Sequence, residues 1–181
     1  RQELRRAKGL REVAGPEKVL METECHMKLL VTGGAGFIGS NLIHHIIDRP
    51  EVECLVNLDC LTYAGHLENL EGMTSRDKYR FERVDLRDQS AVREALKRHA
   101  ITHVLHLAAE SHVDRSIAGP GDFIHTNVVG TFHLLEACRA IWPEDSQSHR
   151  FHHVSTDEVY GSLGPEGYFT ETTPYDPSSP Y

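Results

Sequence analysis

Two hydrophobic periods take turns along this chain. Apolar runs at Met27–Val31, Cys54–Leu58 and Ile101–Ala109 read as strands, with a further one at Arg150–Val154. Tyr79–Asp85 alternates apolar and polar positions, the period of a strand. Between these runs the spacing becomes helical. Ile38, Leu42, Ile43, Ile46 and Ile47 draw an apolar stripe on a helix over Phe37–Asp48. Gln89–His99 reads as a second helix. Phe123–Trp142 reads as a long one, with Ile124, Val128, Phe132, Leu135 and Ala137 facing inward. Strands alternating with helices predict an α/β domain on a doubly wound parallel sheet, of which five strands are present. The charged stretch Arg1–His26 precedes the first strand, and Gly161–Pro180, rich in Gly, Pro, Ser and Thr, predicts a long loop.

The turn between the first strand and the first helix carries the most information. Val31-Thr32-Gly33-Gly34-Ala35-Gly36-Phe37-Ile38-Gly39 contains the spacing Gly34-x-Gly36-x-x-Gly39. Glycines there let the backbone turn sharply and approach a pyrophosphate, while the helix N-terminus offers free N–H groups and a positive dipole end. The second strand ends in Asp59, twenty residues after Gly39. An acid at that place accepts hydrogen bonds from an adenosine ribose diol and repels a 2′-phosphate, which favours NAD over NADP. The loop Cys60–Leu70 then borders the adenosine half. Asp85 has two readings, a bond to the adenine amine or an N-cap for Gln89–His99. Small residues in Leu107-Ala108-Ala109 let a flat cofactor lie over that strand end. The polar loop Glu110–Ser116 is a site candidate because ligands sit at the carboxyl ends of strands in such sheets. Thr126 and Asn127 read as an exposed helix face or as site residues. Ser155-Thr156-Asp157-Glu158 sets two adjacent carboxyls beside a hydroxyl at the end of the fifth strand, a pattern suited to acid and base work.

Composition narrows the partners. The 181 residues are 39% hydrophobic and 25% charged, and the net charge of −8 supplies no basic field for nucleic acid. No apolar run approaches the roughly 18 residues of a membrane span, and no signal peptide is evident, so a cytoplasmic setting is expected. Cys25, Cys54, Cys60 and Cys138 lack C-x-x-C spacing, which predicts free thiols in a reducing compartment. The thirteen histidines are scattered without ligand spacing, so no metal site is expected. Arg1–His26 reads as an appended, largely disordered leader, or as a partner-binding helix over Glu3–Val13.

Several runs together carry a resemblance. Thr32–Gly39 resembles the glycine motif of the extended short-chain dehydrogenase/reductase superfamily, with its NAD-binding Rossmann fold. Leu61–Gly65, His106–Ser116, Ser155–Gly161 and Pro177–Tyr181 are similar to the corresponding runs of the dTDP-glucose 4,6-dehydratases. The likeness covers Met27–Tyr181 and excludes the leader. It implies a lyase of nucleotide-sugar (deoxysugar) biosynthesis that converts dTDP-glucose to dTDP-4-keto-6-deoxyglucose, and a homodimer. Implied cofactor positions are Gly33, Gly36, Phe37, Ile38, Gly39, Asp59, Cys60, Leu61, Thr62, Asp85, Leu86, Leu107, Ala108, Ala109, Ser111, Thr126 and Tyr181. Cys60 stands where the family often has Lys. Ser111, Thr156, Asp157 and Glu158 match substrate positions.

The resemblance also implies a chemistry. Tyr181 takes the proton of the sugar 4′-hydroxyl while hydride passes to NAD. Glu158 removes the C5 proton, Asp157 protonates the departing 6-hydroxyl, and hydride returns to C6. Thr156 belongs to the same catalytic turn. In the family pattern a Lys four residues after the Tyr lowers its pKa, and that position lies past Tyr181. The chain is therefore expected to lack later strands and a substrate domain, to leave apolar sheet surface uncovered, and to show no turnover alone. The alternatives are an inactive NAD-binding remnant, a partial reading frame that does not fold, or another nucleotide-sugar dehydratase or epimerase.

Overall fold

The structure is a computed structural model that describes residues 26–144 and 147–181. The leader helix expected over Glu3–Val13, and Cys25, lie outside the described residues. Five strands form one sheet in the order β3-β2-β1-β4-β5. They are β1 (Met27–Thr32), β2 (Val52–Leu58), β3 (Tyr79–Glu82), β4 (His103–His106) and β5 (Arg150–His153). Every neighbouring pair is parallel. The chain winds outward from β1 through β2 to β3, then returns to the other side of β1 for β4 and β5. That reversal opens a crevice between the carboxyl ends of β1 and β4, where ligands bind in sheets of this kind.

Helices pack on both faces of the sheet, as parallel strands require. Leu29, Val31 and Leu55 pack against Ile43 of α1 (Phe37–Ile46) and Ile47 at its C-cap. Leu30, Val56 and Val104 point the other way. They meet Val92, Ala95 and Leu96 of α2 (Gln89–Arg98) and Leu134, Ala137 and Cys138 of α5 (Thr131–Ile141). Each fully buried aliphatic side chain contributes roughly 1.5–3 kcal/mol, so the alternation along β1 secures both layers. Cys54, Cys60 and Cys138 are free thiols.

The N-cap of α2 is Asp88, whose Oδ1 accepts the Ala91 N–H at 3.0 Å. Asp85 is therefore not the cap, and one of its two sequence readings falls away. The fourth strand is shorter than the run Ile101–Ala109. It pairs β1 only from His103 to His106, and Leu107 to Ala109 leave the sheet as a loop. Likewise β3 ends at Glu82 rather than Asp85, and α1 stops before Asp48.

The long helix departs most from expectation. It consists of a single turn α4 (Gly121–Phe123), a π-helical segment (Ile124–Gly130) and α5. Ile124, Val128, Phe132 and Leu135 do not face inward; each is about half exposed, from 45% to 57%. Phe123, Leu134, Ala137 and Cys138 fill the core instead, so only Ala137 of the expected stripe is buried. The helix carries two apolar faces, and periodicity cannot say which one meets α2. Ile38 also leaves its expected stripe and is 65% exposed.

Among the described residues, no helix covers the α1 side of the sheet over β4 and β5. A groove of about 360 Å³ lies there, lined by Met27, Leu29, Ile46, Val52, Leu105 and His152 among others. Among the described residues, no helix is long and apolar enough to cross a membrane.

Candidate functional site

The site begins where β1 ends. Gly33 has φ of +70°, a conformation that glycine adopts without cost, and its N–H donates to the Leu58 carbonyl at 3.0 Å. A Cβ on Gly33 would stand 2.8 Å from the backbone N and Cα of Ala108, so the turn and the end of β4 approach as closely as backbones can. Gly39 faces the Gly33 carbonyl in the same way, which brings α1 in tight. Helix α1 opens on Gly36, with no side-chain cap and no acid in its first turn. The first intrahelical bond is Ser40 N–H to Gly36 O at 2.9 Å. The amides of Phe37, Ile38 and Gly39 precede it and form a donor array at the positive end of the helix dipole. Phe37 and Ile38 project their side chains into the open, at 83% and 65% exposure.

Asp59 closes the β2 side. Its Oδ2 accepts the Ala35 N–H at 2.9 Å and its Oδ1 the Leu61 N–H at 2.8 Å. A carboxylate has about four acceptor sites, so capacity for a ligand hydroxyl remains. The loop beyond it is seated on the glycine turn. The His66 N–H and the Asn69 Nδ2 both donate to the Ala35 carbonyl at 3.0 Å. The Cys60 thiol is pushed above its usual pKa by burial and by Asp85 and Asp59.

A buried polar chain joins the strand ends. Thr32 Oγ1 lies 2.7 Å from His106 Nδ1, and His106 Nε2 lies 2.8 Å from Thr131 Oγ1. Thr32 Oγ1 also accepts the N–H groups of Leu107 and Ala108, each at 3.2 Å. Those two amides occupy both its lone pairs, so the Thr32 proton points to Nδ1 and Nε2–H donates to Thr131. Burial, with His153 adding to it, pushes His106 down to about 4. This neutral histidine pins β1, β4 and α5 together directly behind the crevice.

On the β4 side, Asn127 grips the loop that carries Ser111. Its Oδ1 accepts the Glu110 N–H and its Nδ2 donates to the Glu110 carbonyl, both at 2.8 Å. The Oε2 atom of Glu110 is buried with no hydrogen-bond partner. Beyond β5, Thr156 caps the 3-10 turn Asp157–Tyr160 by accepting the Glu158 N–H at 3.3 Å. The Thr156 hydroxyl also lies 3.5 Å from Asp157 Oδ1. Tyr160 stacks on Phe169 at 5.2 Å, which folds the long final loop back on this turn. Tyr181 packs edge-on against Phe123, 6.5 Å between ring centres.

This arrangement is matched over almost all its length by the family model described as GDP-mannose 4,6 dehydratase, which covers residues 30–181. The chain belongs to the GDP-mannose 4,6 dehydratase family. Within that family it is similar to the dTDP-glucose 4,6-dehydratase of Neisseria gonorrhoeae, with 54% identity over 166 residues. The match takes in 89% of this chain and 48% of that relative, so the chain spans about half the relative's length. Among solved structures it resembles a double mutant of dTDP-glucose 4,6-dehydratase from Streptomyces venezuelae with NAD and DAU bound. There the TM-score is 0.77 and the identity 42%, over 86% of this chain and 47% of that one. A UDP-glucose 4-epimerase from Thermus thermophilus in complex with NAD follows at TM-score 0.73 and 35% identity, over 84% of this chain and 45% of that one.

In this member of the GDP-mannose 4,6 dehydratase family, the sequence-predicted residues gather along one sheet edge. Gly33 to Gly39, Asp59 to Thr62, Leu107 to Ser111 and Thr156 to Glu158 all follow carboxyl ends of strands. Two placements differ in character. Asp85 is already engaged by Arg87, whose guanidinium donates to both carboxylate oxygens, and that contact holds its pKa below the usual range. The Leu86 side chain is 4% exposed and belongs to the core cluster. Nothing in the local pattern points to the role of His106, and of the two readings of Asn127, exposed face or site residue, its grip on the Glu110 backbone favours the second. Asn127 stood out as a polar residue on an apolar helix, but its partner lies seventeen residues upstream.

Proposed function

We propose that the protein acts as a dTDP-glucose 4,6-dehydratase that uses NAD. The observation that carries this reading is the Thr156-Asp157-Glu158 turn. It stands at the carboxyl end of β5, on the same sheet edge as the glycine turn, in a chain 54% identical to such an enzyme. In this reading residues 27–181 form an incomplete NAD-binding domain and residues 1–26 a leader outside it. The residues fit the dinucleotide. The uncapped amide array of α1 suits a pyrophosphate, and Asp59, with acceptor sites to spare, suits a ribose diol.

The α1 amides and Asp59 would hold NAD, whose chemistry there would be to accept hydride from C4′ of the sugar and give it back at C6. The chain's own residues move the protons. Tyr181, as phenolate, takes the 4′-hydroxyl proton. The resulting ketone acidifies C5, and Glu158 takes that proton and returns it to C5 when C6 is reduced. Asp157 gives a proton to the 6-hydroxyl, which leaves as water. Ser111 and Thr156 hold the sugar nucleotide, and the Asn127 clamp on Glu110 fixes the backbone next to Ser111.

The same reading includes a homodimer, supported by the exposed apolar stripe Ile124, Val128, Phe132 and Leu135. Sedimentation equilibrium giving only monomer at micromolar concentration would sink it. It also includes a cytoplasmic location, supported by the free thiols of Cys54, Cys60 and Cys138 among the described residues and testable by cell fractionation.

The test is a chimera joining this chain to the part of the Neisseria relative that it does not span. Given dTDP-glucose and NAD, the chimera should release the 4-keto-6-deoxy product, seen by NMR, and the chain alone should not. Asp157→Asn in the chimera should block elimination while still allowing oxidation at C4′, seen as reduced-cofactor absorbance. Full turnover by that variant would remove Asp157 as the acid. A chimera that binds NAD but yields the C4 epimer would make the protein an epimerase. Binding without chemistry would make it a remnant.

A further inference from the structure

The two loops that flank the glycine turn touch each other. Arg115, on α3 (Val113–Ala118) beyond β4, lays its guanidinium 4.4 Å from the centre of the Tyr63 ring, in the loop after β2. β1 stands between β2 and β4 in the sheet, so the contact runs from one wall of the β1 carboxyl end to the other.

Both walls are anchored. The Tyr63 loop is tied to the turn by Asp59, His66 and Asn69, all bonded to the backbone of Ala35. On the other side, Ser116 is fully buried and its hydroxyl donates to the Val113 carbonyl at 2.6 Å. Asn127 grips the backbone just upstream at Glu110. The side chains that meet across the gap are themselves exposed, with Tyr63 at 53%. At the β1 end between these walls, Phe37 and Ile38 stand exposed beside the α1 amides. The guanidinium that bridges these walls has the charge that complements a diphosphate held on those amides, and it stacks on Tyr63 at the same time.

We propose that Tyr63 and Arg115 form a clasp across the dinucleotide groove that sets how slowly the bound cofactor leaves. The proposal rests on the NAD reading above. It gives that reading a physical complement, because a cofactor regenerated in every turnover gains nothing from fast exchange. Neither residue touches reacting atoms in this role; the pair acts on retention alone.

The experiment measures release of radiolabelled NAD from this chain, chased by excess unlabelled NAD. Tyr63→Leu and Arg115→Gln should each speed release about twofold to fivefold, the range an exposed cation–π pair supports. The double variant should be no faster than the faster single one, since the pair is one interaction. Tyr63→Phe keeps the ring and should release NAD at the unsubstituted rate. Unchanged release in both single variants, or effects that multiply in the double variant, would overturn the clasp and leave the cofactor reading intact. No uptake of NAD by the unsubstituted chain would overturn both.

Discussion

Acid should destabilise this protein through His106 before most of its carboxylates are protonated. The ring is 1% exposed and its Nδ1 accepts the Thr32 hydroxyl proton. Protonating it places a charge in the core and turns that acceptor into a donor facing a donor. The folded-state pKa of about 4, against 6.5 for the free side chain, gives the sign. Between these values the unfolded chain holds one more proton than the folded one, so stability falls as pH drops through 6.5 and levels off below 4. That difference corresponds to about 3 kcal/mol, a large part of the roughly 5–15 kcal/mol that holds a domain together. His103 is also held low, by burial first and then His149 and Arg150, and acts in the same direction. Glu82 is held low because His99 and Arg98 outweigh its burial, and its stability contribution is lost as pH falls through the carboxylate range.

The assay isolates His106 by difference. Urea unfolding followed by the single tryptophan, Trp142, is run from pH 8 to pH 4 on the unsubstituted protein and on His106→Gln. Trp142 reports core packing because its Nε1 donates to the Ile101 carbonyl at 2.7 Å. At pH 8 the variant should be about 1–2 kcal/mol less stable, for the lost hydrogen bonds. By pH 4 it should be the more stable of the two, having escaped a cost of about 3 kcal/mol. Parallel loss of stability in the two proteins would refute the reasoning.

Three further outcomes follow from single contacts. Gly33→Ala should lower stability by at least about 2 kcal/mol, from left-handed strain plus collision with Ala108, whereas Gly72→Ala, with φ of +81° and open space around it, should cost only about 1 kcal/mol. Thermal unfolding of the pair checks this, and equal losses would contradict the close approach of the turn to β4. Asn127→Leu should leave the Glu110 N–H and carbonyl without their partners and speed hydrogen exchange at the Glu110 amide at least about tenfold. Exchange at the unsubstituted rate would show that the loop holds itself. Trp142→Phe removes the bond to Ile101 and should cost about 1 kcal/mol or slightly more in urea unfolding followed by circular dichroism; a neutral change would mean that water replaces the indole.

Much of this molecule is written locally. The glycine turn, the acid at the end of β2 and the alternation of strand and helix are patterns over a few residues, because backbone dihedrals and side-chain periods are local properties. Those patterns were enough to place β1 to β5 in order and to put Gly33–Gly39, Asp59 and Thr156–Glu158 on one edge. What they could not decide was which of two apolar faces goes inside. Ile124, Val128, Phe132 and Leu135 make as good a stripe as the buried set. Only the fit of Leu134, Ala137 and Cys138 against α2, together with the extra residue of the π segment, turned the stripe outward. Strand lengths were decided the same way, since β4 ends where its partners stop pairing and not where its apolar run ends. The polar contacts that build the site were settled latest. Thr32 and His106 stand 74 positions apart, and Asp88 outbid Asp85 for the helix cap by a single turn of loop geometry. Such pairings depend on distances that exist only after the layers have packed, and so the sequence names the chemical groups while the tertiary structure chooses their partners.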